Sequence, residues 1–205
     1  MNIQTRSSKK KYINNKNQEE EPEDNFSDLL LHVENNNVYF YSEITTETIF
    51  KLRISLQKLI DKHNMFSVLN DCDPIPIKLY INSPGGEVKD ALTIVDLINN
   101  SSVPIHTIIE GEAASAATLI SVVGHKRFIN QNANMLIHQI SSGFWGKYME
   151  IEDEIKNIKL YMEKLKKIYK ENTELEITKL DKMLKKDILW NSKICLKYGL
   201  VDEII

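Results

Sequence analysis

A short apolar run, Ile77 to Ile81, ends in Asn82-Ser83-Pro84-Gly85-Gly86, and Val88, Ala91, Val95 and Ile98 follow at helical spacing. This is a strand, a glycine turn and a helix in direct succession. The same alternation continues on both sides. Asn37 to Tyr41 is rich in β formers and bounded by asparagines. Thr45-Thr46-Glu47 offers helix-starting residues, and Ile49, Leu52, Leu56, Leu59 and Ile60 come next at helical steps. Asp71 to Pro76 reads as a loop and Pro104 to Ile109 as another strand. Ala113 to Val123 is small and apolar with no polar face, which predicts a buried helix. Arg127 to Asn130 and Met135 to Ile137 are short strands. The β-α-β-α order predicts α/β layers around a parallel sheet.

The rhythm changes after residue 147. Tyr148, Ile151, Ile155, Ile158, Met162, Leu165 and Tyr169 recur at steps of three and four among charged residues. That predicts a long helix over about 147–171 with one narrow apolar stripe. Such a stripe buries against a partner helix as readily as against its own domain. Leu175 to Leu184 is a shorter helical pattern. Asn191-Ser192 caps a last helix that stops at Gly199, and Val201 to Ile205 closes the chain as a strand.

With 205 residues the chain suits one domain with a tail. Residues 1–25 are that tail: Arg6, Lys9, Lys10, Lys11 and Lys16 precede Glu19, Glu20, Glu21, Glu23 and Asp24, with too few apolar residues to offset the entropy of ordering. A solvated or processed segment is expected there, an organelle transit peptide being the alternative, and the folded domain is expected over 26–205. A net charge of −3 argues against a general polyanion binder. No apolar stretch reaches the length of a membrane span, and residues 1–25 hold no apolar core of a secretory signal. Cys72 and Cys195 form no metal-binding spacing, so a reducing compartment fits: the cytoplasm, or an organelle matrix if the tail is a transit segment.

Three segments carry side chains or backbone suited to chemistry. The turn at 82–86 exposes backbone N–H groups before a helix, which serves either as a tight connection or as an oxyanion cradle. It is no nucleotide-binding loop, because no Gly-Lys-Ser/Thr follows. Gly111-Glu112-Ala113-Ala114-Ser115-Ala116-Ala117 places one hydroxyl among small residues that leave room for a substrate carbonyl. Read by itself, that segment is more simply a packing helix. Met135-Leu136-Ile137-His138-Gln139 ends an apolar strand in a histidine, at the mouth of a Ser-Gly-rich loop suited to base chemistry. A base needs an acid to orient it. Asp181, Asp187 and Asp202 compete for that role, and the residues alone do not choose among them.

Taken together, these segments from about Phe26 to Ile205 resemble the Clp protease proteolytic subunit (ClpP) family of self-compartmentalising serine peptidases. The family carries an Asn-Ser-Pro-Gly-Gly turn, as at 82–86, and a Gly-x-Ala-Ala-Ser nucleophile motif, as at 111–115. Its Met-Ile-His-Gln strand end corresponds to 135–139, and its closing Tyr-Gly-Leu-Val-Asp to Tyr198–Asp202. Counting back from Tyr198 by the family spacing gives Asp187. The resemblance implies an α/β fold of repeated β-β-α units, as in the ClpP and crotonase folds, with a projecting long helix as handle. It implies Ser115 as nucleophile, His138 as general base and Asp187 as its orienting acid. Backbone N–H groups of Gly86 and Ala116 would form the oxyanion hole, and Gln139, Ile140 and Ser141 would begin a strand that pairs with substrate. It also implies heptameric rings, singly or stacked in pairs, degrading unfolded polypeptide. An AAA+ unfoldase of the ClpX, ClpA or ClpC type would feed the chamber. No cofactor is expected in this chain, ATP being used by the partner alone.

The chain departs from the family in several places. The step from Ser115 to His138 is shorter, Ile140 replaces a proline, and Ser141-Ser142-Gly143-Phe144-Trp145-Gly146 replaces a glycine-richer loop. Lys185-Lys186 stands where an acidic residue and an arginine help pair rings. Three other readings compete with an active housekeeping peptidase: a non-catalytic subunit of the same fold, a phage or viral maturation protease of the same fold, and a crotonase-like enzyme acting on a thioester.

Overall fold

The computed structural model describes residues 30–205, so the expected tail and the boundary at residue 26 lie outside the described residues. Strands β1 (Leu31–Glu34) and β2 (Asn37–Phe40) form an antiparallel hairpin. Asn35 closes it at φ 58°, a left-handed conformation that asparagine tolerates better than most residues. Helix α1 (Thr46–Asn70) follows, opened by a capping box. Thr48 N donates to Thr45 Oγ1 at 3.2 Å, and Thr45 N to Thr48 Oγ1 at 2.9 Å. The chain then alternates through β3 (Ile77–Ser83), α2 (Val88–Asn99), β4 (Ile105–Ala114), α3 (Ala116–Val122), β5 (Lys126–Ile129) and β6 (Asn134–Leu136). It closes with α4 (Tyr148–Asn172), α5 (Ile177–Met183), β7 (Leu189–Asn191), α6 (Ser192–Lys197) and β8 (Glu203–Ile204).

The sheet order is β1-β2-β3-β4-β5-β8, with β6 on β4 and β7 on β6. All neighbours are parallel except the β1–β2 and β6–β7 pairs. The fold is therefore mixed α/β with a largely parallel sheet, as the alternation predicts. Side chains alternate along β3: Ile77, Leu79 and Ile81 are buried, while Lys78 and Tyr80 keep contact with water. The buried set packs with Ala91, Ile94, Val95 and Ile98 of α2 and with α3, every residue of which is buried. Tyr39 stacks on Tyr80 on the opposite face, centroids 4.8 Å apart.

Strand β4 differs from expectation. It runs on through Ala114, so the helix starts at Ala116 rather than Ala113. Small apolar residues suit either state, and here the ladder decides. Ala113 pairs with Ser83 on one side and Met135 on the other. The strand changes neighbour midway: His106–Ile109 lies against β5, and Glu112–Ala114 against β6. Gly111 sits at the changeover with φ 68°, and a Cβ there would come within 3.0 Å of Asn82 Oδ1. That same oxygen accepts a hydrogen bond from Glu112 N at 3.3 Å.

Helix α4 lies within one residue of its expected bounds. Its only buried residues, Leu165 and Tyr169, sit near the C-terminal end, so the N-terminal turns project. Tyr148, Ile151 and Ile155 of the stripe are exposed. Among the described residues no helix is long and apolar enough to cross a membrane.

Candidate active site at the carboxyl ends of the strands

Strands β3, β4 and β6 run parallel and end side by side, the usual location of a site in an α/β sheet. Ser115 leaves β4 and N-caps α3 with φ 53° and ψ −124°. A non-glycine residue held there costs about 1–3 kcal/mol, so the surroundings must impose it. Ser115 N donates to Leu136 O at the end of β6, 2.8 Å away. Ser115 O accepts from Thr118 N at 3.0 Å and from Thr118 Oγ1 at 2.5 Å. The turn thus commits both backbone groups of Ser115, while its hydroxyl makes no hydrogen bond among the described residues. The Ala116 N–H that follows is the first of α3 and has no acceptor within the helix.

The glycine turn lies against this corner. A Cβ at Gly85, where φ is 92°, would come within 2.5 Å of Ala114 O and 2.7 Å of Ser115 Cβ. Gly86 bridges to Ile44: Ile44 N donates to Gly85 O at 2.7 Å, and Glu87 N to Ile44 O at 2.9 Å. Those bonds use the groups on either side of the Gly86 N–H. That N–H has no acceptor among the described residues and is open to a ligand. A Cβ at Gly86 would lie 2.2 Å from Ile44 O, so only glycine fits the bridge.

His138 and Asp187 meet through strand register. In the antiparallel β6–β7 pair, Met135 opposes Trp190 and Leu136 opposes Leu189. Continuing that register by two residues sets His138 across from Asp187. Gln139 N, donating to Leu184 O at 2.7 Å, clasps the two segments together. His138 Nδ1 lies 3.6 Å from Asp187 Oδ1, close enough for an ion pair but too long for a hydrogen bond. The Asp187 side chain is 82% exposed and that of His138 21%.

The rival acids are engaged elsewhere. Asp181 pairs with Lys166 at 2.7 Å. Asp202 clamps Arg127, whose guanidinium lies 2.5 Å and 3.2 Å from its two oxygens. Burial pushes the Asp202 carboxyl up, but the hydrogen bonds and charge of Arg127 outweigh it and hold the group below its usual range. Ser115, Gly86 and Ala116 therefore share one corner, with His138 and Asp187 opposed at the neighbouring strand end. No hydrogen bond links Ser115 to His138 among the described residues. Beyond His138, Gln139 and Ser141 are exposed and Ile140 N donates to Met162 Sδ at 3.4 Å. Residues 139–141 form no strand here.

Sequence reasoning missed the groups that brace this corner: Leu136 O, Ile44, Thr118 and Tyr169. Tyr169 was visible only as a member of the apolar stripe of α4, and Thr118 only as part of an apolar segment.

Comparison with known proteins bears on the same residues. A family model described as Clp protease matches residues 33–205. The ATP-dependent Clp protease proteolytic subunit of Deinococcus radiodurans is 35% identical over 131 residues, covering 63% of this chain and 64% of that protein. The chain thus aligns with a little under two thirds of that relative's length.

Proposed function

The chain belongs to the Clp protease family, and on that premise we propose that it is a serine endopeptidase cutting unfolded polypeptide inside a closed oligomeric chamber. The reading rests on one observation above all. The strained Ser115 turn, the open Gly86 N–H and the His138–Asp187 pair lie at the ends of adjoining strands. Ser115 Oγ attacks the scissile carbonyl carbon while His138 takes its proton. The carbonyl oxygen becomes an oxyanion that the N–H groups of Gly86 and Ala116 stabilise. The C–N bond then breaks, and His138 returns the proton to the leaving amine. Water, deprotonated by His138, hydrolyses the acyl-enzyme and frees Ser115. Asp187 holds the imidazole tautomer and offsets its transient charge. Its contact tightens when substrate or neighbouring subunits close the site, as catalytic hydrogen bonds often do.

The same reading makes the chamber a heptameric ring, single or stacked through the exposed stripe of α4. Whole proteins are supplied by an AAA+ unfoldase that hydrolyses ATP, since this chain has no nucleotide-binding loop of its own.

A second reading has its own support: an Asp187 that is 82% exposed and 3.6 Å from the base suits a non-catalytic subunit. Fluorophosphonate treatment followed by intact-mass and native mass spectrometry separates the two. One adduct per chain, absent in Ser115→Ala, on a ring-sized particle supports the peptidase. An assembled ring that takes no adduct and cleaves no peptide overturns it in favour of the non-catalytic subunit.

A further inference from the structure

Tyr169 is a buried, ionisable group that the proposed mechanism does not use. It lies near the C-terminal end of α4, 1% exposed, and its hydroxyl meets Thr118 Oγ1 of α3, itself fully buried. The direction of that bond follows by elimination. Thr118 has one hydroxyl hydrogen and stands 2.5 Å from Ser115 O, which can only accept. Thr118 therefore donates to Ser115 O, and Tyr169 donates to Thr118. Burial pushes the phenol well above its ordinary value, which keeps its hydrogen in place at any working pH. The backbone oxygen of Tyr169 accepts from Thr173 Oγ1 at 2.6 Å, so this part of α4 is itself pinned.

We infer that Thr118 and Tyr169 are positioning residues for the nucleophile: a two-hydroxyl relay through which α4 holds the Ser115 carbonyl, and so the strained turn, in place. The inference rests on the serine peptidase reading. The turn has two supports on opposite sides. Leu136 O of β6 takes the Ser115 N–H, and Thr118 holds its carbonyl twice, through its own N–H and through the relay hydroxyl. Loosening the second support lets the peptide between Ser115 and Ala116 rotate. That one rotation re-aims the Ser115 side chain and the Ala116 N–H together, so attack and oxyanion stabilisation weaken in the same step. The hydroxyls touch no substrate, so binding is spared.

The test compares Tyr169→Phe, which removes one oxygen from a packed ring, with wild type and with Thr118→Ser and Thr118→Val. Peptide cleavage, the rate of fluorophosphonate labelling at Ser115 and amide exchange over residues 115–118 are read on the assembled protein. In Tyr169→Phe, kcat and labelling fall about tenfold, the scale of one hydrogen bond, with KM unchanged and exchange at 115–118 faster. Thr118→Val falls at least as far, and Thr118→Ser, which keeps the hydroxyl, stays near wild type. Should Tyr169→Phe not assemble, the Thr118 pair decides alone. A wild-type labelling rate and exchange pattern in Tyr169→Phe, or equal losses in Thr118→Ser and Thr118→Val, overturns the relay and leaves the peptidase reading standing. A wild-type protein that assembles but is never labelled overturns the peptidase reading, and the relay's catalytic role falls with it.

Discussion

Gly85→Ala adds one methyl group beside Ser115, and its cost follows from where that carbon lands. The backbone at Gly85 has φ 92°, which an L-residue adopts at a cost of about 1–2 kcal/mol. The new Cβ would sit 2.5 Å from Ala114 O, 2.7 Å from Ser115 Cβ and 3.1 Å from Ala116 N. The first is nearly an ångström inside ordinary contact, and two of the three are backbone atoms, one at the end of β4 and one at the start of α3. Relief requires β4 or the glycine turn to move, an overpacking cost of about 1–3 kcal/mol. The sum, about 2–5 kcal/mol, is a large share of the roughly 5–15 kcal/mol that holds a domain folded. In a thermal scan at fixed protein concentration the melting temperature should drop by about 10 °C. If the corner yields locally instead, the drop shrinks, and fluorophosphonate labelling of Ser115 slows because the turn has shifted. Gly143→Ala is the control, since nothing lies within 4 Å of a Cβ there. A Gly85→Ala protein that matches wild type in both melting and labelling refutes the packing of the glycine turn against Ser115.

Two further outcomes concern stability. Arg127 also donates to Gly199 O at 2.9 Å and to Asn172 O, so Arg127→Ala strands two carbonyls as well as Asp202. A loss of about 2 kcal/mol in chemical denaturation is expected, moderated because Asp202 remains in contact with water. Because the folded Asp202 carboxyl is held below its unfolded value, its contribution is present above about pH 4 and fades as pH falls through the folded value. Asp202→Asn should therefore flatten the acid limb of a stability–pH curve, and an unchanged limb would count against the clamp. His63 is buried with Nε2 unpartnered, and burial, then Lys62, lowers its pKa. The unfolded chain binds that proton first, so stability falls as pH drops below about 6.5. His63→Leu should raise the melting temperature by a few degrees at pH 6 and by less at pH 8; a uniform decrease would refute this account.

Much of this architecture could be read from residue order, because strands such as Ile77–Ser83 and helices such as Val88–Asn99 carry unambiguous periods. The failures share a physical cause. The hairpin strand Leu31–Glu34 is mostly exposed, and β7 is three residues long, so neither is long or buried enough to set a period. Helix α1 runs to Asn70, up to the loop expected from Asp71, although Met65, Phe66, Val68 and Leu69 in its last turns are exposed and mark no buried face. Ala113 is strand because of pairing on both flanks and Ala114 because of pairing with Leu136, which no local window contains. At the candidate site, residue type marked the glycine turn, Ser115 and His138, each with a plain structural alternative, and only the family resemblance joined them. Asp187 needed the family spacing, and its place opposite His138 became physical only with the β6–β7 register. The Thr118–Tyr169 contact joins α3 to α4 across a long stretch of chain, and neither residue carries any mark of the other.

The pairing of β7 with β6 and of β8 with β5 sets a timetable for the chain as it is made. Synthesis releases residues from the N-terminus at about 5–20 per second. A nascent chain therefore presents Ser115 and His138 before Asp187 exists and before Glu203 and Ile204 can cover the open side of β5. A product broken off in that interval keeps an unpaired sheet edge, which invites aggregation or disposal. It also lacks the acid of the proposed triad. On the proposed reading, a copy made only as far as β6 lacks the acid that holds its base, so it is poorly equipped to attack its neighbours.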